Sequence, residues 1–402
     1  MAETNGKTNG HARAYTREDW TDFYHSGPDT LVGRFFRRFW QPIHRSEDLP
    51  VGRARPVRFA NEDFTLYRGK TGAPHVVAFR CAHRGTQLST GWVEGDDLRC
   101  FYHGWKYDGA GQCIEQPAEP EPFCAKIRIK ACPTQDHLGL VFAYFGEGEA
   151  PPIPRFPEFE DEDDGVREAY TYGTPWHMNV FNSLENDPFH GTWVHRESYV
   201  ASGRVGIPTV TCEETDYGYT TFVRLPDEAT HWQESQTHFH MPNASWATRT
   251  APELGPEAWR EALAWRVPVD DEHMISFGVN FTHMPKEARA DYIARREARA
   301  EELSKLPPYT EVAEAVLRGE MRIEDIADRL KHPDRLFNIQ DYTSQAGQGV
   351  IPNRAEWHLG REDVTVLLLK KLFERELRNL AEGRPLKEWM RSERVSVGRP
   401  HV

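Results

Sequence analysis

No apolar run in the sequence approaches the roughly 18 residues that a membrane-spanning helix needs. The opening MAETNGKTNGHARAYT lacks the apolar stretch and cleavage pattern of an export signal, so residues 1–14 read as a flexible polar tail. Cysteine is scarce: 6 in 402 residues exclude a disulfide scaffold. With no export signal, a reducing cytoplasm is the expected compartment. There, paired Cys and His more often mean metal than a bridge. Basic residues are outnumbered, 49 Lys and Arg against 62 Asp and Glu. The resulting net charge of -13 argues against nucleic acid, and against an anionic membrane, as the main partner. No Gly-rich fingerprint follows a strand; GDDLRC and GREDV do not qualify as nucleotide-binding turns. No repeat recurs at a fixed period.

Aromatic residues, by contrast, make up 12% of the chain, too many for a mostly disordered polypeptide. The length allows two or three domains. From Arg55 to Phe145 the text reads as short strands and turns. Val57–Phe59 and Phe64–Tyr67 suggest a hairpin, and Ile127–Ala131 and Leu140–Phe145 suggest two more strands. APPIPRFPEFEDEDDG, residues 150 to 165, is too rich in proline and acid for a helix or central strand. It reads as a linker with a solvated acidic run. The expected division is therefore a tail (1–14), a β domain with a helical lead-in (15–150), a linker (151–165) and a second domain (166–402). In the second domain, residues 288 to 306 suggest a charged surface helix. Residues 364 to 380 suggest an amphipathic helix that packs on a sheet and stops near Gly383.

FRCAHRGTQLSTGWVEGDDLRCFYHGWKY, starting at Phe79, holds Cys81-x-His83 and Cys100-x-x-His103, each followed by a turn. Two loops of this kind can bring two thiolates and two imidazoles together. A structural Zn²⁺ is one possibility. A [2Fe-2S] cluster with both Cys on one iron and both His on the other is the second. Zinc half-sites more often pair like with like, so the spacing favours the cluster. The other cysteines, Cys113, Cys124, Cys132 and Cys212, read as buried or inert thiols.

NVFNSLENDPFHGTWVH, from Asn179 to His195, contains Asp187-x-x-His190-x4-His195. Two imidazoles and a carboxylate on one face of a metal form the non-haem Fe(II) triad, which leaves positions open for O₂ and substrate. His190 and His195 lie about 140° apart around an ideal helix. They can share a metal only if the helix ends or distorts between them. His238 and His240 alternate on a strand-like stretch, and Arg204 and Arg249 are candidate clamps for a substrate carboxylate.

The two motifs, about ninety residues apart, together resemble the α subunits of Rieske non-haem iron oxygenases. The C-terminal HLGREDVTVLLLKKLFERELRNLAEGRPLKEW is similar to the phthalate and phenoxybenzoate dioxygenases and to the dehydrodivanillate O-demethylases. The resemblance implies an α+β architecture: a Rieske β domain followed by a helix-grip catalytic domain, whose antiparallel sheet curves around a helix and a cavity. It implies a Rieske [2Fe-2S] cluster on Cys81, His83, Cys100 and His103. It also implies a mononuclear Fe²⁺ on His190, His195 and a distant carboxylate, which falls on Asp341, with Asp334 and Asp363 less favoured. Asp187 is then no ligand; it bridges a cluster histidine of one subunit to an iron histidine of the next, and the accompanying Asn is left open between Asn182 and Asn186. The assembly implied is a head-to-tail homotrimer or a dimer of trimers. Electrons would come from a separate NAD(P)H-dependent reductase carrying flavin or a 2Fe-2S centre. They would cross from His103 or His83 through Asp187, and O₂ activated at the iron would attack a small aromatic, carboxylated substrate. O- or N-demethylation at the same iron is the alternative. An electron carrier without oxygenase activity and a zinc-stapled binding module are the other classes.

Overall fold

The computed structural model describes residues 15–160, 165–186, 189–195, 207–224, 234–250, 258–326 and 333–389. Two short helices lead in, α1 (Arg17–Thr21) and α2 (Leu31–Phe36). Eleven short strands follow: β1 (Trp40–Arg45), β2 (Ala54–Phe59), β3 (Glu62–Arg68), β4 (Pro74–Ala78), β5 (Trp92–Glu94), β6 (Asp97–Arg99), β7 (Lys106–Tyr107), β8 (Cys113–Glu115), β9 (Ala131–Cys132), β10 (Thr134–His137) and β11 (Leu140–Tyr144). They form three small sheets, ordered β1-β11-β10, β2-β3-β4-β9 and β5-β6-β7-β8. The expected hairpin is β2-β3. Its two-residue loop, Ala60-Asn61, has φ of 47° and 65°, the left-handed pair whose twist matches the flanking strands. The strand expected over Ile127–Ala131 is shorter than its apolar pattern suggests. Arg128 makes one isolated bridge to Gln112, and only Ala131–Cys132 joins a sheet.

The expected linker is not a free loop. Phe156 packs edge-on against Trp265 and His240, and both Glu158 and Phe159 are buried. Proline denies this stretch a ladder, but its aromatics still have apolar surface to bury. Most of the acidic run, residues 161 to 164, lies outside the described residues.

Beyond it, β12 (Gly165–Thr171), β13 (Thr209–Glu214), β14 (Gly218–Arg224), β15 (Glu234–His240), β16 (Ala244–Thr250), β17 (Trp259–Pro268) and β18 (Met274–His283) form one antiparallel sheet, ordered β12-β18-β17-β16-β15-β14-β13. Helices α3 (Val180–Leu184) and α4 (Phe189–Val194) interrupt it after β12; α5 (Arg289–Ser304), α6 (Tyr309–Leu317), α7 (Pro333–Ala346) and α8 (Val364–Ala381) follow it. Side chains alternate faces along a strand. On β17, Glu261, Leu263, Trp265 and Val267 are buried and pack toward the small sheets, Trp265 against Phe142. Ala262, Ala264 and Arg266 point the other way, toward the helices, and are only partly covered.

The surface helix α5 buries none of its residues, as its charge pattern predicts. Helix α8 ends near Gly383, at φ 66°. Its expected packing on a sheet is borne out at edge strand β13, with helices as further partners. Phe373 packs on Phe23, Phe35, Phe36 and Phe181, so α8 docks on helices and touches the sheet chiefly at edge strand β13. The apolar residues form two clusters. One is small, around Tyr67, Val77, Leu98, Trp105 and Tyr107; the other is continuous from α2 through β11 and the large sheet to α8.

Candidate active site

The two Cys/His half-sites occupy matching loops, one between β4 and β5 and the other between β6 and β7. In each, the Cys N–H donates to the carbonyl five residues on: Cys81 to Thr86 and Cys100 to Trp105, both at 2.8 Å. In each, a glycine four residues on donates back to the Cys carbonyl, Gly85 to Cys81 and Gly104 to Cys100. Those glycines have φ of 77° and 75°, a conformation side chains disfavour. The same fold of the chain is thus built twice, and it turns the four side chains together. The rings of His83 and His103 lie 4.5 Å apart, and His83 stacks on Trp105 at 4.7 Å. Cys81 and Cys100 are both buried. Burial pushes the Cys81 thiol up, and Cys100 beside it adds to this, against a 3.1 Å contact from the Tyr107 hydroxyl. Such a thiol ionises readily only on a metal. Nδ1 of His83 is buried with no protein partner among the described residues, which suits a ring nitrogen that ligates iron.

The second constellation joins α4 to α7. His190 sits within α4, and His195 follows its last residue, Val194. The helix ends between the two histidines, as a shared metal requires. Nε2 of His195 is 3.0 Å and Nε2 of His190 is 3.5 Å from Oδ1 of Asp341 on α7. One ligand atom from each lies within 4.8 Å of the others, an arrangement that can hold a metal ion. Burial alone would raise the Asp341 carboxyl. The hydrogen bonds and charges of His190 and His195 outweigh it and hold the carboxyl at about 2. Nδ1 of His195 is 2.9 Å from Oε1 of Gln340, which can only accept. The ring therefore keeps a proton on Nδ1, and once Nε2 gives up the proton it shares with Asp341 its lone pair faces a carboxylate oxygen. A shared cation satisfies both groups. Phe337, one helical turn before Asp341, stacks on the His195 ring with centroids 3.5 Å apart.

Asp187 lies outside the described residues, as do Pro188 and Arg204; the side chains of Arg249 and Asp334 are likewise not described. Asp363 stands at the start of α8, where it accepts a hydrogen bond from Gly360. Asn186 places Nδ2 3.3 Å from His190 Nε2, whereas Asn182 donates to the carbonyls of Gln345 and Gly349. His238 and His240 are buried on the sheet face away from α7, among Trp246, Tyr217 and Phe156. Gln340 and Phe337 escaped the sequence reading. Their one signal is position, on the same helix as Asp341 and within a turn of it.

Residues 39–134 match the family model described as the Rieske [2Fe-2S] domain. The 5,5'-dehydrodivanillate O-demethylase oxygenase subunit of a Sphingobium species is 30% identical over 389 residues, covering 93% of this chain and 83% of that protein. The oxygenase subunit of tert-butanol monooxygenase / tert-amyl alcohol desaturase from Aquincola tertiaricarbonis is 31% identical, covering 87% and 74%. Among solved structures, the terminal oxygenase of carbazole 1,9a-dioxygenase from Nocardioides aromaticivorans matches with a TM-score of 0.59 at 19% identity. That match covers 88% of this chain and 100% of that one, and it supports the fold.

Proposed function

The chain belongs to the Rieske non-haem iron oxygenases, and from that membership we propose that it is a terminal oxygenase acting on a small carboxylated aromatic compound with electrons from a separate NAD(P)H-dependent reductase. Cys81, His83, Cys100 and His103 hold the cluster in this reading; His190, His195 and Asp341 hold the iron. When bound, the cluster supplies single electrons and the iron supplies reductive activation of O₂. The protein's own part is geometric. The paired loops fix the cluster ligands, Gln340 and Phe337 fix the tautomer and plane of His195, and α7 sets the carboxylate against both imidazoles. Residues 15–150 form the electron-accepting domain and 166–402 the catalytic domain. Asp187 is assigned to electron transfer between subunits.

The convergence of His190, His195 and Asp341 in the same chain as the Cys/His loops carries the reading. A carrier needs only the loops. O-demethylation of a methoxy-aromatic at the same site is the second reading, favoured by similarity to the O-demethylase subunit. A homotrimer is supported by the exposure of Trp92, Phe101, Tyr102, Ile114 and Phe123 on and around the β5-β8 sheet that carries the loops. Six free cysteines fit a reducing cytoplasm. The test is His190→Ala. It should abolish substrate oxygenation and leave the visible spectrum of the cluster intact; oxygenation that survives would remove the triad from the chemistry.

A further inference from the structure

The sheet face that looks toward α7 is built unlike the opposite one. On central strands β16 and β17 it presents Ser245, Ala247, Ala262 and Ala264, all small and all partly exposed. Their neighbours on the other face, Trp246, Leu263 and Trp265, are buried. Above this face, Trp176 packs against Tyr342 of α7 at 5.3 Å and stacks on Tyr172 at 5.1 Å. Tyr342, on the helix that carries Asp341, thus joins the aromatic layer that Trp176 and Tyr172 form at the end of this face.

Arg266 is the one cation of β17 placed at the end of this face beside Ser276 and Tyr172. Its backbone is fixed on both sides by Asn243: N–H to the Asn243 carbonyl at 2.9 Å, and Asn243 Nδ2 to the Arg266 carbonyl at 2.7 Å. Its guanidinium is held at one nitrogen only, Nη1, which donates to Ser245 Oγ at 2.5 Å and to the Ala264 carbonyl at 3.4 Å. Among the described residues, no carboxylate pairs with it, and Nε and Nη2 have no protein acceptor. That free edge is the one whose two parallel N–H groups match the two oxygens of a carboxylate.

Two tyrosine hydroxyls share the face. Tyr172 follows β12 in register with Ser276 and Arg266, and Tyr219 lies on β14, three strands from β17 in the row of Ala264, Ser245 and Phe239, stacked on Phe239. Neither hydroxyl has a hydrogen-bond partner among the described residues, and neither is among the fully buried unpaired atoms, so each is open to a partner from outside the protein. Burial raises both phenols. The Arg266 charge acts on both in the opposite sense, and the Asp341 charge is felt at Tyr172. Arg266 and Asp341 are thus both near enough to Tyr172 for their charges to act on its hydroxyl.

We propose that the Nε/Nη2 edge of Arg266, with the hydroxyls of Tyr172 and Tyr219, binds the carboxylate of an aromatic substrate and so sets which ring position faces His190, His195 and Asp341. The assignment rests on the oxygenase reading for its choice of substrate, and it makes the preference for acids a property of one residue. The test is calorimetric binding to the anaerobic holoenzyme, with benzoate, 3-methoxybenzoate and 3-phenoxybenzoate each compared with its amide. At least one acid should bind about tenfold or more tightly than its amide. Arg266→Gln should weaken that acid by about ten- to a hundredfold and leave the amide unchanged, the loss expected when a charged hydrogen-bond donor is removed. Arg266→Lys, which keeps the charge without the fork, should recover part of the loss. It decides the matter if the Gln variant does not fold. Tyr172→Phe should cost the same acid a smaller factor. An acid preference that survives in Arg266→Gln overturns the proposal, and so does a wild-type protein that binds no acid more tightly than its amide. Reductant-driven O₂ uptake by the same sample separates the two readings. Acid-selective binding without uptake would sink the oxygenase reading and leave Arg266 in place; uptake without acid selectivity would do the reverse.

Discussion

Gln340 shows how one side chain decides the chemistry of another. Its Oε1 holds a proton of His195 on Nδ1, which leaves Nε2 to serve as the ligand atom in the proposed iron site. Gln340→Leu removes that acceptor without changing the ligand set. Such outer partners are commonly worth about 10- to 100-fold in metal affinity. The expected result is a fall of that size in Fe²⁺ affinity at the triad, read by titrating iron into the chelator-treated protein, with the cluster spectrum unchanged. The ligands were unequally legible in the sequence. Cys81, His83, Cys100 and His103 lie within 23 residues, and spacing alone suggests their shared use. Asp341 stands 146 positions from His195, and no local pattern links them. It was placed by resemblance, and the contact that pairs them is purely tertiary. Arg266 was invisible for a related reason. In WREALAWRVP it reads as one more polar residue in an alternating strand, and only the sheet register shows what it faces.

At the scale of elements, the site depends on how α3 holds α7. Asn182, 1% exposed, donates from Nδ2 to the carbonyls of Gln345, in the last turn of α7, and Gly349 just beyond it. The buried Gln345 carbonyl has otherwise only a long bond from the Gln348 N–H, at 3.4 Å. Glu185, just after α3, makes a buried ion pair with Arg354 at 2.6 Å, which ties the same region to the segment after α7. Asn182→Leu should destabilise the fold by about 1–3 kcal/mol, the cost of unsatisfied buried acceptors. Iron retained after dialysis should fall with it, because α7 carries Asp341; unchanged iron retention in a destabilised variant would mean that α3 does not position α7. Charge pattern foretold α5 and apolar periodicity α8, but periodicity specifies a face and not a partner. The docking of α8 on α1, α2 and α3 followed from Phe23, Phe35, Phe36 and Phe181, which are far from it in sequence. The linker stretch forms no strand or α-helix over residues 151 to 160, as its prolines require, while Phe156 and Phe159 anchor it to the core.

The whole molecule leaves a wide aromatic surface in water. Trp92, Phe101 and Tyr102 are each more than half exposed, and Trp92 and Phe101 touch at 5.3 Å. On a lone chain such a patch is costly. In the assembly proposed above, a second copy seated there would cover it and bring the cluster loops of one chain to another chain's triad. The double substitution Trp92→Glu, Phe101→Glu should therefore convert the assembly to monomers by analytical ultracentrifugation and stop turnover while both metal centres stay loaded. A variant that remains trimeric and active would move the interface elsewhere.

One measurement bears on all three scales: EPR of the dithionite-reduced protein, with iron and zinc counted on the same sample. Two centres in each chain predict the rhombic signal of a histidine-ligated [2Fe-2S] cluster and about three irons per chain, falling to about two in His195→Ala with the signal unchanged. No such signal, with zinc in place of iron, would make the Cys/His loops a structural staple and contradict the oxygenase assignment.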